Sequence, residues 1–150
     1  MIEWKWSTGD YPTPALRDAF DLRSEVFCDE QGYTREQEFD SADKTALHIT
    51  GYTNGQAVAA GRIIREDDRC LMGRICVKLC ARGTGAGYEL CTQMIQKCRS
   101  LGYAEITVIA QSRVAGFYSK LGFSPSGEEY PDEAGVVHVE MRLTPAAETA

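Results

Sequence analysis

With 150 residues, 43% hydrophobic and 25% charged, the chain has an ordinary globular composition and is long enough to bury roughly 70% of its unfolded surface. A net charge of −6 leaves no basic stripe for phosphates, which argues against nucleic acid as a standing partner, and an acidic surface favours a cationic one. Met1–Trp6 carries no apolar leader and no run approaches ~18 apolar residues, so the expectation is a cytoplasmic protein without a membrane partner.

Ile2, Trp4 and Trp6 alternate with polar residues and predict a first strand. Thr13 is a helix N-cap with Pro14 at the first helical position, and Ala15, Leu16, Ala19, Phe20, Val26 and Phe27 follow at helical spacing. From Asp29 to Lys44 the chain is polar and acidic, a helical turn plus loop. Ala46–Thr53 and Gln56–Arg65 flank Asn54-Gly55, the signature of a hairpin with a type I′ turn. Asp67-Asp68 marks another turn, and Leu71–Leu79 is a strand that runs into Arg82-Gly83-Thr84-Gly85-Ala86-Gly87.

Beyond it, Tyr88, Cys91, Met94, Ile95, Cys98 and Leu101 form one helical face, closed by Gly102. Ala104–Ala110 is a short apolar strand, and Val114, Phe117, Tyr118 and Leu121 form the face of a short helix closed by Gly122. Val137, Val139, Met141 and Leu143 alternate along a last strand, and Thr144–Ala150 reads as a frayed tail. The order is β-α-(α)-β-β-β-α-β-α-β, with no linker, repeat or low-complexity tract. Residues 1–150 are expected to form one mixed α/β domain whose sheet is not purely parallel, because the hairpin is antiparallel.

The six cysteines include no C-x-x-C pair, and neither histidine stands at metal-ligand spacing, so no metal is expected. Cys76, Cys91 and Cys98 fall on apolar faces and read as small hydrophobes.

An apolar strand, a glycine-rich turn and a helix start make a phosphate-cradling layout, since small residues expose backbone N–H groups and the helix N-terminus adds about half a positive charge. Tyr88-Glu89-Leu90 follow the glycines where a Walker loop needs Gly-Lys-Ser/Thr, and Tyr88 stands where a dinucleotide fingerprint needs its third glycine. A glycine-rich connection without a ligand is the alternative reading.

Arg82-x-x-Gly85-x-Gly87, between Val77 and Leu90, resembles the acetyl-CoA loop of the GNAT superfamily of N-acyltransferases. A second block, Ala110-Gln111, then Phe117-Tyr118 and Leu121-Gly122-Phe123, resembles the closing motif of that family. A third, Val26-Phe27-x-x-Glu30-Gln31-Gly32 with Glu36, Glu38, Asp40, Asp43-Lys44, Ala46 and His48, is similar to its small stand-alone branch akin to glucosamine-6-phosphate N-acetyltransferase. The resemblance covers nearly the whole chain. It implies a GNAT-like α/β fold, a mixed and mostly antiparallel sheet flanked by helices.

It also implies acetyl-CoA as cosubstrate. The pyrophosphate would lie over Arg82, Gly83, Thr84, Gly85, Ala86 and Gly87, and the pantetheine beside Ile75, Cys76 and Val77, with an N–H near Val77 facing the thioester oxygen. Gln111, Phe117 and Tyr118 complete this side, with Tyr118 as proton donor to the departing thiolate and no side-chain nucleophile needed. The proton acceptor stays open among Glu25, Glu30, Asp40 and His48. His48 alternates away from Leu47 and Ile49, and an imidazole suits proton removal near neutral pH. His138 alternates with Glu140 and reads as structural.

The acidic segment 29–43 is either a wall that attracts an ammonium group or a solvated loop. The expected reaction is direct acetyl transfer, in a ternary complex, to the primary amine of a small molecule such as an amino sugar or polyamine. The alternatives are a protein or peptide amine as acceptor, a CoA-binding module with little catalysis, and a thiol-sensing protein. The resemblance also allows a homodimer built through Val136–Leu143.

Overall fold

The computed structural model describes residues 1–143, so the tail expected over 144–150 lies outside the described residues. Strand β1 (Glu3–Thr8) leads to helix α1 (Pro14–Arg23), whose first turn is capped where the Thr13 hydroxyl accepts from the Leu16 N–H at 3.2 Å. The helix continues without a break into a π-helical segment, Ser24–Glu30, which buries Val26 and Phe27. The acidic stretch that follows forms two short turns, α2 (Arg35–Glu38) and a 3₁₀ turn at Ser41–Lys44. Each opens on a reciprocal capping box, Thr34 with Gln37 and Asp40 with Asp43.

Strands β2 (Leu47–Thr53) and β3 (Gln56–Glu66) form the expected hairpin. Asn54 and Gly55 have φ of 51° and 77°, the left-handed pair that a type I′ turn requires. Next come β4 (Arg69–Val77), α3 (Ala86–Ser100), β5 (Glu105–Gln111), α4 (Ala115–Lys120) and β8 (Val137–Leu143). Two strands of two residues each, β6 (Ser124–Pro125) and β7 (Tyr130–Pro131), were not anticipated, since so short a pairing leaves no alternation to read.

One sheet runs β1-β2-β3-β4-β5-β8-β6, with β7 also on β8. Neighbours are antiparallel except β4 and β5, which are parallel, as the α3 crossover demands. A large core between the sheet and α3 and α4 holds Ile49, Ile63, Met72, Leu90, Met94, Ile106, Met141 and the thiols of Cys70, Cys91 and Cys98. A smaller core under α1 joins Ala19, Leu22, Val26 and Phe27 to Ala60 and Cys76. Because β8 is paired with β5 on one side and with β6 and β7 on the other, 136–143 is an interior strand, not the open edge that strand-to-strand dimerisation needs.

Strand β4 changes character halfway. Arg69–Met72 pair with Glu105–Val108 of β5, and beyond Met72 and Val108 the two parallel strands have no pairing. The β3–β4 register also slips between Ala60 and Arg62, a bulge centred on Arg74, whose φ of 50° lies in the left-handed region. The bulge reverses the strand's alternation. Cys70 and Met72 face α3, whereas Cys76 faces α1 and Ile75 and Val77 pack toward α3. A Cβ on Gly61, opposite the bulge, would stand 2.7 Å from the Met94 sulfur, so the thioether would have to shift to admit one.

Three arginines and three carboxylates fill the space between α1, the acidic stretch and the sheet. Arg23 is 0% exposed and donates to Glu38 Oε2 at 2.8 Å and to both Asp43 oxygens at 2.8 and 3.1 Å, with its guanidinium over the rings of Phe20 and Phe39. Arg62 donates to Asp40 Oδ1 at 2.7 Å and Asp43 Oδ1 at 2.8 Å, and Arg74 lies 3.2 Å from both Glu38 and Asp40. Burial works against the Asp43 charge, but the hydrogen bonds and charges of Arg23 and Arg62 outweigh it and hold its carboxyl below the usual range. Asp43→Ala takes one of two carboxylate partners from each of two buried guanidinium groups and should destabilise the fold by about 3–5 kcal/mol, read as a lower urea midpoint. A folded-state pKa below 3.8 also means that Asp43 stabilises fully above that value and less as pH falls through it, an acid limb that Asp43→Ala should flatten.

Candidate active site

The divergence of β4 from β5 opens a cleft of about 1160 Å³ that passes beside the end of the sheet. The Lys78 N–H turns to β3, where it donates to the Val58 carbonyl at 2.7 Å, so strand alternation aims the N–H and C=O of Val77 into the cleft. The Val77 carbonyl accepts from Arg82 Nε at 2.9 Å, and its N–H faces the side where β5 has withdrawn.

The glycine segment forms the near wall. Gly83 and Gly85 have φ of 80° and 88°, a turn that L residues with side chains adopt only under strain. Gly85 caps α3 without any side-chain bond, which leaves the first-turn amides of the helix to an outside acceptor. A Cβ on Gly87 would stand 3.5 Å from Phe117 Cζ and 3.7 Å from Val77 Cγ2, so loop, strand and α4 converge there. These residues fit a diphosphate at the loop and a slender acyl-thioester arm along β4.

Tyr118 lies at this junction. It is 6% exposed, its ring packs edge-on against Phe117 and Phe123, and its hydroxyl bonds to no other described residue. Burial, with smaller contributions from the nearby thiols of Cys91 and Cys76, pushes the phenol above its ordinary value, so it stays a proton donor. Burial likewise pushes the Cys76 thiol up to about 12, which keeps it neutral and poorly nucleophilic.

On the far wall, the segment after the π-helix is clasped across the opening. Gln111 Nε2 donates to Gln31 Oε1 at 2.8 Å, and the Tyr33 hydroxyl donates to Asp132 Oδ2 at 2.7 Å. Asp132 Oδ1 also accepts from the Ala134 and Val136 N–H groups at 2.9 Å each. Burial opposes the Asp132 charge, but these donors outweigh it and hold the carboxyl below its usual range. Glu36, Glu38 and Asp40 line the same wall beside Arg62 and Arg74, so the acidic segment is neither a bare solvated loop nor a free field of negative charge.

Most of the expected site residues meet in the cleft: Ile75, Cys76, Val77, Arg82, Gly83, Gly85, Ala86, Gly87, Gln111, Phe117, Tyr118, Asp40 and Glu30. Glu30 is engaged by Arg82 Nη2 at 2.8 Å. Three expected residues lie off it. The Thr84 hydroxyl turns back to the Ala81 carbonyl, and Glu25 pairs with Lys78 at 2.8 Å. His48 is 0% exposed, its Nε2 donates to the Asp43 carbonyl at 2.9 Å, and its Nδ1 is sealed without a partner. Burial holds that imidazole below its usual value, so the structure makes His48 a neutral prop under the ionic cluster, out of reach of a substrate. Arg74, Tyr33, Asp132 and His138 line the cleft without having been singled out for it. A sequence signal existed only for Arg74, a lone charge inside an apolar strand.

Residues 15–145 match the family model described as Acetyltransferase (GNAT) domain. The chain belongs to the GNAT acetyltransferase family. It is 32% identical over 126 residues to the uncharacterized N-acetyltransferase YjcF of Bacillus subtilis, covering 84% of this chain and 90% of that one. Protein ElaA of Escherichia coli is 31% identical over 148 residues, and its crystal structure superposes with a TM-score of 0.84 over 95% of this chain and 99% of that one. An acyl-CoA N-acyltransferase from Pseudomonas aeruginosa superposes with a TM-score of 0.85 at 26% identity, over 96% of this chain and 100% of that one. This GNAT domain is therefore an acyltransferase enzyme.

The clasp is testable by itself. Tyr33→Phe removes a hydrogen bond to a charged group, worth about 1.5–3 kcal/mol, and should speed amide exchange at Ala134 and Val136 roughly 10–100-fold without moving the exchange of β2 or β3.

Proposed function

We propose that this GNAT enzyme transfers an acetyl group from acetyl-CoA directly to a primary amine of a small molecule within a ternary complex. One observation carries the reading: the free Val77 N–H, the unbonded Tyr118 phenol and the uncapped first turn of α3 open onto the same cleft. Acetyl-CoA supplies an acetyl group already activated as a thioester. The first turn of α3 with Gly83–Gly87 holds the pyrophosphate, and Arg82 adds a charge-assisted contact once it releases Glu30. The Val77 N–H donates to the carbonyl oxygen as negative charge develops there. Tyr118 gives its proton to the leaving sulfur, a role that suits a phenol kept neutral by burial.

Two features favour a small acceptor. The Gln31–Gln111 and Tyr33–Asp132 bonds narrow the far wall, and the arginines beside Glu38 and Asp40 leave Glu36 and Glu133 as its exposed carboxylates to attract an ammonium group. Positioning two bound reactants in such a cleft is worth about 7–11 kcal/mol of barrier, without a covalent enzyme intermediate.

Calorimetry with acetyl-CoA and CoA tests the cofactor half. Gly85→Asp and Arg82→Glu each set a carboxylate against pyrophosphate and should weaken binding at least about 30-fold, or roughly 2 kcal/mol. Unchanged affinity in both would refute the loop assignment. Tyr118→Phe should lower kcat about 100-fold or more while acetyl-CoA affinity stays within threefold. Equal turnover would leave a CoA-binding module whose chemistry does not use this phenol.

A further inference from the structure

His138 stands on β8 directly opposite Gln111, the last residue of β5, at the level where β4 and β5 have parted. Its side chain is 14% exposed and lines the cleft. Nδ1 lies 2.8 Å from the Val136 carbonyl, and an oxygen of that kind can only accept, so Nδ1 carries the proton. In the neutral ring Nε2 then keeps its lone pair, and it bonds to no described residue. Asp132 Oδ2 stands 3.7 Å from Nδ1, and the Tyr130 ring lies beside the imidazole with centroids 6.4 Å apart.

Four of the other carboxylates in the cleft are engaged. Glu30 is held by Arg82, Glu38 by Arg23 and Arg74, and Asp40 by Arg62 and Arg74. Asp132 accepts from Tyr33 and two backbone N–H groups. Glu36 and Glu133 are exposed carboxylates at the rim.

Resting on the amine-transfer reading above, we propose that His138 is the general base, with the Val136 carbonyl fixing its tautomer and the Asp132 carboxylate beside it. The step balances as follows. The acceptor nitrogen forms its bond to the acetyl carbon, its proton passes to Nε2 of His138, the carbon–sulfur bond breaks, and the Tyr118 hydroxyl proton passes to the sulfur. His138 then loses its proton to solvent and Tyr118 regains one.

The test uses the full chain with acetyl-CoA and three acceptors, glucosamine, spermidine and a short peptide with a free N-terminal amine, with acetylated product measured by mass spectrometry. On an acceptor that the wild type uses, His138→Gln, which keeps a donor for the Val136 carbonyl, should lower kcat at least about 100-fold. The KM for the amine and the acetyl-CoA affinity should stay within threefold, and the thermal midpoint close to wild type. Added imidazole should restore part of the rate to His138→Ala and none to Tyr118→Phe, a rescue that a purely structural histidine would not show. A His138→Gln enzyme within threefold of wild-type kcat, or a slow His138→Ala enzyme that imidazole does not rescue, overturns the assignment and leaves the amine-transfer reading standing. A wild type that acetylates none of the three amines, or binds no acetyl-CoA, overturns that reading and this role with it.

Discussion

Parallel strands that pair for four residues and then separate expose backbone polar groups in the middle of a sheet, and such groups are costly unless something bonds them. In this protein the separation of β4 from β5 beyond Met72 and Val108 is the constraint on which the rest depends. The bulge at Arg74 turns β4 so that Ile75 and Val77 pack toward α3 while Cys76 seats under α1. Arg82 reaches back to bond the Val77 carbonyl, Gln111 is tied to Gln31, and the Val77 N–H bonds to no described group.

Keeping that gap open requires stiff walls. On the α1 side stiffness comes from ions, since Arg23, Arg62 and Arg74 against Glu38, Asp40 and Asp43 sum to zero charge in a space lined by Phe20, Phe39 and His48. Buried ion pairs of this kind contribute less to net stability than their geometry suggests, but removing one member is costly, which makes the arrangement all-or-none. Arg74 joins the two constraints, because the left-handed residue that creates the bulge also donates to the carbonyls of Gln37 and Glu38. On the α3 side the walls are apolar, and their dryness keeps Tyr118 protonated, as burial under α1 does for Cys76.

Much of the fold was legible because local chemistry repeated at each level. Thr13-Pro14, Asn54-Gly55, the strand–glycine–helix junction and the 3.6-residue face of α3 each state their structure within a few residues, and all recur in the fold. The glycine-segment side of the cleft was legible for the same reason, as it is built from contiguous segments. The opposite wall was not. It is assembled from pairs such as Tyr33 with Asp132 and Gln31 with Gln111, 99 and 80 residues apart, and no local pattern encodes such contacts. His48 misled because alternation correctly turned it away from the Ile49 side, while the buried arginines and Phe20 awaiting it there were visible only in three dimensions. The π-helical segment was missed because its buried residues, Val26 and Phe27, also satisfy an α-helical count.

The most direct measurement of the central claim is amide hydrogen exchange of the whole chain with and without saturating acetyl-CoA. If the gap receives the thioester, new protection appears at two separated places, the Ile75–Val77 backbone and the Gly83–Gly87 amides, with little change along β1 and β2. Protection confined to the glycine segment would mean that phosphates bind while the diverged strand holds nothing. Protection at neither place would contradict the view that the gap between β4 and β5 exists to receive a thioester.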